Sequence, residues 1–134
     1  EALLELNGVN CPRLAHLMLG KVPAVNDTVM VDALATLPLE SFGINGCTGV
    51  TDVGMCAVAC CGTLRRVNLE NCFLLSDASL VALATHCPLL ATLNVRICNA
   101  LSLPGFETLA ENCAGLKTVK LSGVHTQAET SAIV

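Results

Sequence analysis

The sequence predicts an α/β solenoid, in which short structural repeats stack in a line. Three observations predict it: an apolar pattern recurs every 25 to 26 residues, each copy has strand character, and a segment with helical spacing follows each copy. One such repeat cannot bury its own apolar residues, so neighbouring repeats must bury them for one another. The 134 residues are therefore expected to form a row of small cores.

The strand half of each repeat has the pattern apolar-x-x-apolar-x-apolar, which ends three positions later in cysteine or valine. In the third copy these residues are Leu64, Val67, Leu69 and Cys72. Apolar residues that alternate with polar ones are typical of a strand with one buried face. The copies start near residues 14, 39, 64, 90 and 116, and residues 1–13 are predicted to be the tail of a preceding repeat.

An acidic residue opens the helical half of three repeats, at Asp27, Asp52 and Asp77. We predict that these aspartates are helix N-caps, because a carboxylate accepts hydrogen bonds from the unpaired amides of the first turn. Leu103 and Pro104 replace the acidic cap in the fourth repeat. Apolar residues then recur at helical spacing, so each repeat is predicted to be a strand, a turn and a helix of about 10 residues.

These residues resemble the leucine-rich-repeat superfamily, specifically the cysteine-containing class found in F-box proteins and their mitotic-exit antagonist relatives. The segment from Leu64 to Leu90 matches best, and the resemblance extends from Leu14 to about Ala132. It implies a right-handed leucine-rich-repeat solenoid of about five repeats, with a parallel β-sheet on the concave face and helices on the convex face. Val22 and Val124 depart from the family pattern, which has cysteine there. The resemblance is specific for fold and not for function, because this scaffold hosts many partners.

Neither end of the chain has the polar terminal repeat that keeps a solenoid soluble. We therefore expect residues 1–134 to be a single solenoid segment of a longer protein.

The nine cysteines fall mainly into two repeated positions. We interpret each as a small buried hydrophobic residue. A disulfide framework and a metal site are the alternatives, disfavoured by the odd number of cysteines and by the absence of a CxxC pair. Reduced thiols predict an intracellular, cytoplasmic or nuclear location. One position holds Cys47, Cys72 and Cys98, a second holds Cys11, Cys61, Cys87 and Cys113, and Cys56 and Cys60 are additional.

The charges are unevenly distributed, although the net charge is only −4. The positions between the apolar strand residues would face outward on the concave side. Six of the seven basic residues fall in these positions, but among the acids only Glu40 and Glu70 do. This pattern predicts a basic groove for an acidic or phosphorylated protein segment; the alternative is that these side chains only serve solubility. The predicted partner-binding residues are Lys21, Arg65, Arg66, Asn68, Glu70, Asn94, Arg96, Lys117 and Lys120.

No catalytic, cofactor or metal residues are predicted, and we expect that the chain is not an enzyme. The histidines His16, His86 and His125 lie at three different phases of the repeat, and no nucleotide-binding or hydrolase motif is present. Nucleic acid is disfavoured as a partner because the net charge is negative and aromatics make up 2% of the chain. No apolar run is long enough to span a membrane.

The leading functional hypothesis is a non-catalytic protein–protein interaction scaffold. One alternative is the substrate-recognition arm of an F-box ubiquitin-ligase adaptor, which the resemblance suggests. Another is a structural subunit of a large cytoskeletal, axonemal or ribonucleoprotein assembly. The segment from Val53 to Cys61 is apolar nearly all round, so either small residues are tolerated at the surface there or a neighbouring protein covers this helix.

Overall fold

The computed structural model describes residues 2–121; Val124 and His125 therefore lie outside the described residues. Five short parallel strands form one sheet whose spatial order is the order along the chain. Helices follow the first four strands, which confirms the predicted α/β solenoid. The strands are β1 His16–Met18, β2 Ser41–Gly43, β3 Arg66–Asn68, β4 Thr92–Asn94 and β5 Thr118–Lys120. The helices are α1 Asp27–Asp32, α2 Asp52–Ala59, α3 Asp77–His86 and α4 Leu103–Asn112, with 3-10 turns at Ala2–Glu5 and Leu34–Thr36.

The strands are paired flush, so equivalent residues of successive repeats lie side by side. The middle residue of each strand points into the core, and Phe42, Val67 and Leu93 are almost fully buried. The equivalent residues of the two outer strands, Leu17 and Val119, are only partly buried. Within residues 2–121, the outer strands have a neighbouring strand on one side only, as expected for a linear stack.

The helix N-caps are the residues that precede the aspartates, so the prediction that Asp27, Asp52 and Asp77 are N-caps is wrong by one position. The Asn26 side chain accepts a hydrogen bond from the Val29 amide at 3.0 Å. Thr51 and Ser76 are the caps of the next two helices. Because asparagine, serine and threonine are also good N-cap residues, the aspartate is available for another role.

Each aspartate bonds to the next repeat instead. Asp27 accepts hydrogen bonds from the Thr51 amide at 2.9 Å, from the Thr51 hydroxyl at 2.5 Å and from the Gly54 amide at 3.1 Å. We call this series the aspartate ladder. It continues with Asp52, which accepts from Ser76 and Ser79, and with Asp77, which accepts from Ser102.

Cysteines at the first repeated position join neighbouring repeats in a similar way. The thiol of Cys72 donates to the Ile44 carbonyl of the preceding repeat at 3.3 Å, and Cys47 and Cys98 make equivalent bonds. All nine cysteines are unbridged in the described part of the chain. The interpretation as buried hydrophobic residues is correct for Cys47, Cys72, Cys87, Cys98 and Cys113; it is wrong for Cys60, which is exposed, and only partly correct for the half-buried Cys11, Cys56 and Cys61.

The cysteines are expected to differ sharply in reactivity. Burial raises the pKa of both Cys72 and Cys87 to about 12, so these thiols stay protonated near neutral pH. Iodoacetamide at pH 8 should therefore label the exposed Cys60 first and these two at least about 100-fold more slowly. Time-resolved peptide mass spectrometry would measure the order of labelling. The rates should converge in urea, and equal rates in the folded protein would contradict the burial assignment.

The turn after each of the first four strands contains a residue with positive φ. In the fourth repeat this residue is Ile97, with φ of 58°, a conformation that is strained for a β-branched side chain. Asn71 occupies the same turn position in the third repeat at φ 63°. Ile97→Asn should therefore raise the free energy of unfolding by about 1 kcal/mol. Urea unfolding would test this; the reverse change, Asn71→Ile, should destabilise, and a destabilised Ile97→Asn variant would show that Ile97 packing outweighs the strain.

The concave sheet face as a candidate functional site

The outward side chains of the strands form three rows that run across the sheet. Val67 is 2% exposed, whereas its neighbour Arg66 is exposed, so alternation along β3 separates core from surface. Flush pairing aligns these positions from strand to strand. We define the concave face by these rows: His16, Ser41, Arg66, Thr92 and Thr118; then Met18, Gly43, Asn68, Asn94 and Lys120; then, just beyond the strands, Gly20, Asn45, Glu70 and Arg96.

Six of the nine predicted partner-binding residues lie in these rows: Arg66, Asn68, Glu70, Asn94, Arg96 and Lys120. The other three lie at the borders of the face. Arg65 and Lys117 immediately precede β3 and β5 by one residue, and Lys21 occupies the positive-φ turn after β1. The chain bends at the strand entry, where the amides of Arg65 and Arg66 both donate to the Glu40 carbonyl at 2.8 and 3.0 Å. Simple alternation therefore does not extend back to Arg65.

The first two strands supply no charged residue to the concave face. Their outward positions hold small or uncharged side chains, and the Met18 sulfur lies over Gly43, where a larger side chain would have to displace it. Ser41 is 6% exposed, and Arg66 Nη1 of the next strand donates to its hydroxyl at 3.4 Å. Among residues 2–121, the Lys and Arg side chains in the rows thus lie on β3–β5, which have Arg66, Arg96 and Lys120 against the single acid Glu70.

Glu70 and the two asparagines hold one another in place. Asn68 Oδ1 accepts a hydrogen bond from the Glu70 amide at 3.1 Å, and Asn94 Oδ1 accepts from the Arg96 amide at 3.1 Å. The amide group of Asn94 donates to Glu70 Oε1 at 3.0 Å, from one strand exit to the next. These side chains therefore have structural roles that their sequence positions did not reveal.

Arg65 is engaged only weakly. Its Nε lies 4.0 Å from Glu40 Oε1, and both side chains are about half exposed, 51% and 49%. Water and salt screen such a pair, so it contributes little to stability.

A shallow hollow of ≈ 180 Å³ lies on the basic half of this face. It spans three strands and is bordered on one side by Met18, whose side chain reaches across Gly43. Polar side chains from the first two rows supply most of its wall. The lining residues are Met18, Arg66, Val67, Asn68, Thr92, Asn94 and Lys120.

The two described histidines lie far apart in the repeat pattern, with His16 in the first row of the concave face and His86 at the end of α3. Within residues 2–121, no three acidic, cysteine or histidine side chains group as ligands for a metal ion. Over the same residues, every helix is too short or too polar to cross a lipid bilayer.

The convex side exposes apolar residues on three consecutive helices. Val53 of α2 is 66% exposed, and Val31 of α1 and Val81 of α3 are each 42% exposed. The apolar segment from Val53 to Cys61 thus has a buried face, which contains Met55 and Val58, and a second face that lies outside the core.

No family model matches the chain. Three curated proteins are similar in sequence: F-box/LRR-repeat protein 12 of Arabidopsis thaliana, 34% identical over 85 residues; disease resistance protein RPP2A of Arabidopsis thaliana, 30% over 115; and antagonist of mitotic exit network protein 1 of Eremothecium gossypii, 40% over 60. The matches cover 63%, 85% and 45% of this chain, but only 21%, 8% and 15% of those proteins.

A chain in the crystal structure of the Rad7 and Elc1 complex in yeast has a similar fold. The TM-score is 0.73 at 20% sequence identity, and the match covers 83% of this chain and 29% of that one. At this identity the likeness concerns the fold alone. The curated relative matched over 63% of the chain is itself named for its LRR repeats. Sequence relatives and fold thus agree with the pattern of Leu64 to Cys72, and the chain belongs to the leucine-rich-repeat superfamily.

Proposed function

We propose that this solenoid is a non-catalytic protein-interaction scaffold that holds an acidic segment of a partner protein on the basic half of the concave face. The observation that carries the proposal is the segregation of charge. The chain as a whole has a net charge of −4, yet the rows of β3–β5 present three basic residues and one acid. The carboxylate of that acid, Glu70, accepts a hydrogen bond from the Asn94 side chain.

A surface of one sign attracts the opposite charge and accelerates association with a matching partner. Arginine suits this role because its planar guanidinium group can hold a carboxylate or phosphate through two parallel hydrogen bonds. The border residues Lys21, Arg65 and Lys117 extend the positive potential to both edges of the face. The nine unbridged cysteines favour an intracellular, reducing compartment as the place of action.

Two larger roles are compatible with such a scaffold, and different observations favour them. Similarity to an F-box/LRR-repeat protein favours a substrate-recognition arm in a ubiquitin-ligase adaptor. Exposed Val31, Val53 and Val81 on the convex side favour a structural subunit whose helices are covered in a larger assembly. We place the adaptor first, because it needs only the concave face to contact a client.

Affinity purification of the full-length protein with mass spectrometry of its partners would test the proposal. The wild type is compared with a variant carrying Arg65→Glu, Arg66→Glu and Arg96→Glu, and with a convex variant carrying Val53→Glu and Val81→Glu. We expect the concave variant to lose at least one partner that the convex variant retains. An unchanged set of partners in the concave variant would reject binding through this face.

The same experiment separates the two larger roles. Ubiquitin-ligase subunits that are retained by every variant, with one client lost from the concave variant, would support the adaptor. A fixed set of particle subunits that depends on Val53 and Val81 would support the structural subunit.

A further inference from the structure

The hollow on the concave face is surrounded by hydrogen-bond donors that have no strong partner. Lys120, Thr92 and the Asn68 amide group make no side-chain donor bond within residues 2–121. Within the same residues, the Arg66 side chain makes only the long 3.4 Å bond to Ser41. Because Asn68 Oδ1 accepts from the Glu70 amide, its Nδ2 group is the end left without a partner.

Two acceptor oxygens, one on Asn94 in the wall and one on Glu70 beside the hollow, each already accept a hydrogen bond. Asn94 Oδ1 accepts from the Arg96 amide, and Glu70 Oε1 accepts from Asn94 Nδ2. A ligand that enters the hollow therefore meets two cations, one amide NH₂ group and one hydroxyl that is able to donate. Such a surface favours a group that is negatively charged and rich in acceptor oxygens.

The number of these donors suits a phosphate group better than a carboxylate. Arg66 and Lys120 lie on strands two places apart and are offset by two residues along the strands, so their backbones are roughly 12 Å apart at the usual strand separation and rise. Two long side chains can converge on one anion across that distance. Thr92 lies on β4, between the two strands, and Asn68 lies on β3, two residues after Arg66. A phosphorylated side chain carries close to two negative charges and three acceptor oxygens, enough to use all four donors at once.

One border of the hollow is apolar. Met18 is 57% exposed and extends over Gly43 from the first strand. A ligand that places its anion between Arg66 and Lys120 would bring its neighbouring group against this thioether. Nucleic acid would gain little here, because the chain has 2% aromatic residues and so offers almost no surface for base stacking.

We propose that the hollow is a binding site for a phosphoserine or phosphothreonine in the partner protein, with an adjacent apolar residue packed on Met18. This site rests on the proposed function, because it lies within the face to which we assign partner binding. It adds the chemistry of the bound segment and the four side chains that bind it: Arg66, Asn68, Thr92 and Lys120.

Peptide binding to the immobilised full-length protein would test this site. The probes are three peptide libraries with randomised flanks and a fixed central phosphoserine, serine or glutamate. We expect retention of the phosphoserine library at least about 10-fold above the other two, with enrichment of apolar residues beside the phosphate. Equal retention of the glutamate and phosphoserine libraries would overturn the assignment of a phosphate site.

Two variants that preserve shape and one control sharpen the result. Asn68→Asp replaces the NH₂ donor with a repelling oxygen, and Thr92→Val removes the hydroxyl; both should reduce phosphopeptide retention, the first by 10-fold or more. Arg13→Gln changes the net charge as much as Asn68→Asp does, lies outside the concave face, and should leave retention unchanged. Equal losses in Asn68→Asp and Arg13→Gln, or displacement by random duplex DNA at the same concentration as phosphopeptide, would show a nonspecific polyanion surface instead.

Phosphatase treatment distinguishes failure of this site from failure of the proposed function. A partner that is lost from the Arg65, Arg66 and Arg96 variant but still binds after dephosphorylation would support the concave face and reject the phosphate site. Partners that are indifferent to those three reversals would reject the proposed function itself.

Discussion

Replacing Asp52 with alanine is expected to lower the free energy of unfolding by about 3 kcal/mol. Asp52 accepts hydrogen bonds from the Ser76 amide at 2.9 Å, from the Ser76 hydroxyl at 2.5 Å and from the Ser79 hydroxyl at 2.5 Å. Bonds to a charged group contribute roughly 1.5–3 kcal/mol each, and partial exposure of Asp52 reduces their sum. Ser79 is 1% exposed, so its hydroxyl would be left buried without this partner.

Urea unfolding at pH 7 would measure the loss. The matched control is Asp32→Ala, at the exposed end of α1, where the carboxylate accepts no side-chain bond within the described residues. Its effect should remain within about 0.5 kcal/mol. Similar losses for the two variants would contradict the role given to the aspartate ladder.

The contribution of Asp52 should also depend on pH. Burial alone would raise the pKa of this carboxyl group, but the hydrogen bonds from Ser76 and Ser79 outweigh it, so the pKa is lowered. A group that is more acidic in the folded state stabilises the fold fully above its unfolded pKa, about 3.9, and loses that contribution as pH falls through the folded pKa. The difference between wild type and Asp52→Ala should therefore be largest near neutral pH and shrink below about pH 4.

The aspartate ladder matters because a solenoid is stable only through contacts between adjacent repeats. Asp27, Asp52 and Asp77 each lie in the first turn of one helix and accept hydrogen bonds from the N-cap residue of the next helix. One carboxylate therefore joins the starts of two adjacent helices. α4 begins at Leu103, which has no carboxylate, and the ladder ends at Ser102.

The strand pattern predicted the fold well because its physical cause is local. Val67 and Leu69 can both be buried only if apolar and polar residues alternate along the strand. Equivalent residues of successive repeats can lie side by side only if the repeats keep a fixed length. The helix caps were misplaced for an equally physical reason. Ser76 and Asp77 are both good capping residues, and only the packing of the next repeat decides which side chain turns toward the neighbouring helix.

The candidate site was predicted less completely, because its arrangement depends on contacts between repeats. Alternation alone placed Arg66, Asn68 and Lys120 on the outward side of the sheet. The shared bonds to the Glu40 carbonyl, which set Arg65 apart from Arg66, involve a residue about 25 positions earlier in the chain. The hydrogen bond from Asn94 to Glu70 likewise joins two repeats, so sequence spacing could not reveal it.

Reversal of Arg66 and Lys120 together is expected to weaken binding of the captured partner to the full-length protein by at least about 100-fold, or about 2.7 kcal/mol. Each substitution removes an attractive charge from the hollow and introduces a repulsive one at close range. Wild-type affinity should also fall steeply between about 50 and 500 mM salt, whereas the residual affinity of the double variant should depend little on salt. Isothermal titration calorimetry at several salt concentrations would measure both effects.

The decisive comparison is between two adjacent arginines. Arg66 lies in the first row of the concave face, whereas Arg65 precedes the strand beside Glu40. Arg66→Glu should therefore weaken binding at least about 10-fold more than Arg65→Glu, although the two changes alter the net charge equally. Equal effects of the two reversals would mean that the partner senses only the overall charge of this edge. A larger effect of Arg66→Glu would show that the partner contacts the strand rows themselves.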